Sequence, residues 1–193
     1  MAIYGKAYKL SIEKVSRILK GDYKVLELAC GTGIISFGIA HEVDSVIAVD
    51  ISPKMISVAK DKAAKLSINN INFQVGDGYS LHYEDNAFDV ILLFNSLHIV
   101  KEPNTLLVEA HRLLKPNGYI ITATDCYAEP VPFSTKVLIL ALKFMKTLRL
   151  IHFLHNFSKK DITTLLKENG FIIIEDDILH TTPVNYYILG QKI

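Results

Sequence analysis

Between residues 25 and 124 the chain alternates short, nearly unbroken apolar runs with longer stretches of helical period. The runs 25–29 (VLELA), 45–49 (SVIAV), 71–75 (INFQV), 88–94 (FDVILLF) and 119–124 (YIITAT) read as strands. Their continuity marks parallel strands covered by helices on both faces. Ser52-Pro53 offers an N-cap and a helix-starting proline for a helix reaching Leu66. Glu102-Pro103 opens another that ends near Lys115-Pro116-Asn117-Gly118. Beyond residue 125 the pattern changes. The period predicts a helix over 133–155, and Ser158-Lys-Lys-Asp161 predicts a capping box for a helix that stops at Asn169-Gly170. The last two strands, 171–179 and 186–192, are separated by a turn containing Pro183. So short a connection forbids a parallel crossover and makes an antiparallel hairpin. Residues 1–24 predict one amphipathic helix, Leu10 to Leu19, preceded by Tyr4 and Tyr8 and placed to close over a ligand. The expected fold is α/β, a three-layer αβα sandwich whose mostly parallel seven-stranded sheet has an antiparallel last strand.

At 193 residues the chain suits one domain of about 100–200 residues. Its 21 basic and 20 acidic residues leave a net charge of +1, too weak a field to make nucleic acid the expected partner. Nine Phe and nine Tyr exclude a disordered chain. Cys30 and Cys126 form no C-x-x-C, so neither a disulfide framework nor a thiolate zinc site is expected, and no His spacing predicts a metal. The opening Met-Ala-Ile-Tyr-Gly-Lys-Ala-Tyr lacks the apolar core of a secretion signal. A reducing cytoplasm fits these features. The apolar stretch from Phe133 to Leu154 is interrupted by Lys136, Lys143, Lys146 and Arg149, against a membrane span. On a helix these four cations share one side, which suits a lid with a solvated basic face or a peripheral membrane contact.

Chemistry concentrates where the first strand runs into a glycine turn and a helix, Val25-Leu-Glu-Leu-Ala-Cys-Gly-Thr-Gly-Ile-Ile-Ser36. Gly31 and Gly33 let a ligand approach the backbone, and the helix that follows exposes unpaired N–H groups. Two departures from a dinucleotide fingerprint set the ligand class. Position 36 is Ser, and Glu27 lies within the strand, where a carboxylate repels a pyrophosphate and attracts an ammonium or sulfonium. Asp50 ends the second strand, placed to accept hydrogen bonds from a ribose diol. Asp77, between Gly76 and Gly78, ends the third and is placed for an exocyclic amine.

With these residues in place, the sequence resembles the class I, Rossmann-like S-adenosylmethionine-dependent methyltransferases, in particular their small-molecule branch. Glu27-x-x-Cys-Gly-Thr-Gly33 looks like the family's first motif, Asp50 like its ribose-binding acid and Gly76-Asp77-Gly78 like its adenine-contacting motif. Residues 88–98 with Leu113-Leu-Lys-Pro-Asn-Gly118 resemble its fourth strand, helix and turn. The resemblance implies S-adenosylmethionine as cofactor and S-adenosylhomocysteine as product. It implies that Glu27 faces the methionine end and that the turn of Cys30, Gly31, Thr32 and Gly33 passes beneath it. Asp50 would hold the ribose, Ile51 and Met55 would flank adenine, and Asp77 with Gly78 would read its edge. The backbone of Asn95 and Ser96 would border the methyl-transfer region. Residues 126–157 would form a helical lid insertion, and 1–24 an N-terminal helical cap, on a single domain spanning 1–193. His98, after strand four, is the candidate general base; Asp125, after strand five, is a candidate acceptor-binding or catalytic residue. The expected acceptor is a small, partly apolar molecule such as a lipid or quinone. Two other readings share the glycine turn: an NAD(P)-binding oxidoreductase, which Glu27 and Ser36 disfavour, and a non-catalytic nucleoside-binding module.

Overall fold

The computed structural model describes residues 2–130, 140 and 153–193, with the backbone alone for residues 2–4. Strands β1 (Lys24–Leu28), β2 (Ser45–Asp50), β3 (Ile71–Val75), β4 (Phe88–Phe94), β5 (Leu114–Cys126), β6 (Phe171–Thr181) and β7 (Val184–Lys192) form one sheet. Their order is β3-β2-β1-β4-β5-β7-β6. β1 pairs in parallel with β2 and β4, whereas β7 runs antiparallel to both β5 and β6, so one reversed strand closes the sheet as expected.

Helices α1 (Ala2–Ser16), α2 (Ile34–Ile39), α3 (Pro53–Leu66), α4 (Pro103–Leu113) and α5 (Lys159–Glu168) cover the sheet. The period-two alternation of the strands divides the core into two layers. Val25, Val90, Leu92 and Ile121 pack with Ile35 and Ile39 of α2 and Ile56 and Ala59 of α3, whereas Leu26, Ile91 and Leu93 pack with Leu106 and Leu107 of α4 and Ile162 of α5. Ser52 caps α3 through the Met55 N–H. Ser158 and Asp161 make the reciprocal capping box of α5.

Three boundaries differ from the sequence reading. The N-terminal helix covers Ala2–Ser16 and includes Tyr4 and Tyr8. Lys14 draws it down: nearly buried, its Nζ lies 2.7 Å from Glu175 and 2.8 Å from Asp177 on β6 and 5.0 Å from the centre of the Tyr187 ring. β5 begins at Leu114, with the Lys115–Gly118 turn carried as an irregularity in its pairing with β4. Residues 153–155 are irregular where a helix was expected, because the His155 N–H and Nε2 turn to the carbonyls of His98 and Val100, at 2.8 Å each. The rest of the expected 133–155 helix lies outside the described residues, Leu140 excepted.

Candidate functional site

The carboxyl ends of β1 and β4 open onto a cavity of about 330 Å³, floored by the turn after β1 and closed by Ile34 and Ile35 of α2, Met55 of α3, Phe94 at the end of β4, Asn95 just after it, and Tyr8 of α1. The turn owes its shape to left-handed backbone. Ala29, Gly31 and Gly33 all have positive φ, at 56°, 55° and 76°. A Cβ at Gly33 would stand 2.6 Å from the Phe73 ring, so glycine is demanded there by space as well as by backbone. The Asp50 carboxylate fixes the turn from β2, accepting the Gly31 N–H at 2.8 Å through one oxygen and the Ser52 N–H at 2.9 Å through the other.

Glu27 is the chemical centre of the cavity. It is only 3% exposed, yet it lines the cavity, and no cationic side chain pairs with it among the described residues. One oxygen, Oε2, accepts both the backbone N–H of Ser36, at 3.0 Å, and the Ser36 hydroxyl. Burial pushes the Glu27 carboxyl up to about 7, against the lowering effect of the Ser36 hydrogen bonds. Desolvation outweighs the two donors because no cation among the described residues offsets it. Ser36 thus has a specific partner that its position in the motif alone did not reveal. Burial also pushes the Cys30 thiol well above its ordinary range, which keeps it protonated.

Of the residues expected to bind the cofactor, Glu27, Cys30, Gly31, Thr32, Met55 and Asn95 line this cavity together with Tyr8 and Ala29. Gly33 and Asp50 shape its floor from behind. Ile51 is strongly exposed beside α3, and Asp77 is an exposed turn residue whose carboxyl accepts the Tyr79 N–H at 3.1 Å. Neither lines the cavity, nor does Gly78, which packs on Leu106 and Leu28. Ser96 is buried with a hydroxyl that has no partner among the described residues.

Next to Asn95 lies a second polar group. Asp125 is 6% exposed; its Oδ1 accepts from Asn185 at 2.7 Å and its Oδ2 from the Tyr127 hydroxyl at 3.3 Å. His180 Nε2 stands 3.8 Å from Asp125 Oδ1. His98, also buried, has an Nδ1 with no hydrogen-bond partner among the described residues and meets the Tyr127 ring edge to face. Burial lowers the His98 pKa, opposed by the charge of Asp125, so its imidazole is neutral near pH 7. Sequence reasoning missed Asn185; its signal was the lone polar residue in the otherwise apolar 184–189 run. Among the described residues no three His, Cys, Asp or Glu side chains gather to hold a metal.

A family model described as a methyltransferase domain matches residues 19–170. The chain belongs to the class I S-adenosylmethionine-dependent methyltransferases. It is 34% identical over 122 residues to phosphoethanolamine N-methyltransferase 1 of Arabidopsis thaliana, covering 63% of this chain and 24% of that one. It is 31% identical over 119 residues to demethylmenaquinone methyltransferase of Oceanobacillus iheyensis, covering 60% and 50%. The matched regions therefore span at most half the length of these relatives. Its fold is that of an S-adenosylmethionine-dependent methyltransferase from Methanosarcina mazei, with a TM-score of 0.77 at 22% identity over 93% of this chain and 97% of that one. S-adenosylmethionine is accordingly the cofactor the family supplies. The cavity fits it: a buried carboxylate with no cationic partner among the described residues lies beside a glycine turn, and the volume lies within the range of about 300–1,000 Å³ common for small-ligand sites.

Proposed function

We propose that this chain transfers a methyl group from S-adenosylmethionine to a small-molecule acceptor. The observation that carries this reading is Glu27, a buried carboxylate without a cationic partner among the described residues on the wall of the glycine-turn cavity. Its charge favours a ligand with a positive end and opposes a pyrophosphate, which disfavours the NAD(P) reading. S-adenosylmethionine supplies a methyl group already activated on a sulfonium, so the protein's work is to bind, align and exclude water.

In this reading Glu27 holds the cationic methionine end, Thr32 and the 30–33 turn lie beneath it, and Met55 covers the base. Asp50, already fixing the turn, offers its remaining lone pairs to the ribose; Ile51, Asp77 and Gly78 border the adenine from the open side. Asn95 and Ser96 line the path to the acceptor. His98, neutral and with an Nδ1 that has no partner among the described residues, takes a proton from the acceptor, which Asp125 orients. The insertion at 126–157 covers the acceptor. Its support is at its roots: the Ala128 N–H donates to Phe157 O at 3.0 Å, and the His155 N–H donates to His98 O. The relatives' names supply two acceptor types, a demethylated quinone and a phosphorylated amine.

Calorimetric titration with S-adenosylhomocysteine and with NADH tests the assignment. The expected result is micromolar binding of the thioether and none of NADH. The reverse order would overturn the proposed seating at Glu27 and favour the NAD(P) reading of this cavity, and thioether binding without methyl transfer to any acceptor would leave a binding module.

A further inference from the structure

Asn185 joins the two polar groups. Only 2% exposed, it sits on β7 directly across from Asp125 on β5. Its Nδ2 donates one hydrogen to Asp125 Oδ1 at 2.7 Å and the other to Asn95 Oδ1 at 2.8 Å. The chemistry of the partners fixes the direction of this chain. A carboxylate only accepts, so Asn185 must present its amino end to Asp125. The second hydrogen of that amino end then holds the oxygen of Asn95. What remains of the Asn95 amide is its Nδ2, with no protein partner among the described residues, on a residue that lines the cofactor cavity. Asn95 is itself held in place, with a left-handed φ of 51° and its N–H bonded to Ala123 O at 2.7 Å.

We propose that Asn185 is a positioning residue that makes the acceptor-side wall of the cavity a hydrogen-bond donor, and that the methyl acceptor is accordingly an oxygen-bearing, phenol- or enol-type molecule. This rests on the cofactor seating above and deepens it. A donor on the wall stabilises negative charge developing on an acceptor oxygen as its proton leaves. The same donor competes for the lone pair of an amine nucleophile and gives its N–H groups nothing to bond. An amine would find an acceptor at Asn95 only with that amide oxygen turned into the cavity, and Asn185 with Asp125 prevents that turn. The neutral His98, within the same cluster, complements the arrangement as a receiver of the hydroxyl proton.

The test uses a matched pair of probes, 1-naphthol and 1-naphthylamine, which differ in the polar atom alone. Each is titrated into protein loaded with S-adenosylhomocysteine. Wild type is expected to bind the naphthol about tenfold tighter or more, as a site built to bond an oxygen rejects its analogue. Asn185→Asp removes the amino end, releases the Asn95 amide to reverse, and is expected to bring the ratio to about one or below. Asn185→Leu, which removes both donors without adding a second buried carboxyl, is the companion if that variant does not fold, and is expected to lower the ratio likewise. A wild type without preference, one that binds neither probe, or variants that weaken both probes equally would overturn the proposal, because loss of packing alone moves both together. Protein that takes no S-adenosylhomocysteine defeats the cofactor seating; the ratio is then read on the unliganded protein and still decides this proposal.

Discussion

Ser36, in the first helix after the glycine turn, gives both its backbone N–H and its hydroxyl to a single oxygen of Glu27. The two donors orient a carboxylate that burial would otherwise keep neutral, and leave its other oxygen for the cavity. Ser36→Ala removes one donor and moves the Glu27 pKa further up. At pH 7.5, S-adenosylhomocysteine is expected to bind about three- to tenfold more weakly to this variant, with affinity recovered near pH 9. Titration calorimetry at the two pH values checks this, and Ser36→Thr, which keeps the hydroxyl, is expected to behave as wild type.

The same carboxyl makes stability depend on pH. Its pKa is about 7 in the fold against an ordinary 4.5, so the folded chain holds a proton that the unfolded chain has lost. The contribution is full below about pH 4.5 and is lost as pH rises through about 7, with a size on the order of 3 kcal/mol. Unliganded wild type is therefore expected to lose several degrees of Tm between about pH 5 and about pH 8 that Glu27→Gln retains. Thermal scans of both proteins across that range measure the difference.

Lys14 ties the N-terminal helix to the far edge of the sheet, and that helix carries Tyr8 into the cavity. Lys14→Met keeps the apolar stem over Tyr187 but gives up both ion pairs. Glu175 and Asp177 are about half exposed and return to water, so the stability cost is modest, about 1 kcal/mol. The larger effect is expected on ligand release: S-adenosylhomocysteine should dissociate several-fold faster as α1 loosens, an effect that stopped-flow displacement resolves. An unchanged off-rate would remove α1 from the account of the site.

The sheet was legible because buried parallel strands leave unbroken apolar runs, and the reversed strand because the turn around Pro183 is too short for a crossover. Glu27 was legible because a carboxylate inside such a run needs a reason. The N-terminal helix was placed too late in the chain, and its tie to the sheet, Lys14 against β6 some 160 residues away, is a contact that no local period records. Residues 153–155 read as helical by period, but the polar groups of His155 are claimed by the carbonyls of His98 and Val100. Asn185 went unseen for the same kind of reason. Its meaning lies in register, opposite Asp125 and beside Asn95, and register across three strands is a property of the assembled sheet.

Glu27, a buried acid, must ionise to receive the cationic end of its ligand, and S-adenosylhomocysteine titrated at pH 6 and at pH 8 into wild type and Glu27→Gln examines this most directly. Wild type is predicted to bind about tenfold tighter at pH 8, and the variant to bind weakly with no such rise. Wild-type affinity that is flat or falls with increasing pH, or a variant that binds as tightly as wild type at pH 8, would contradict it.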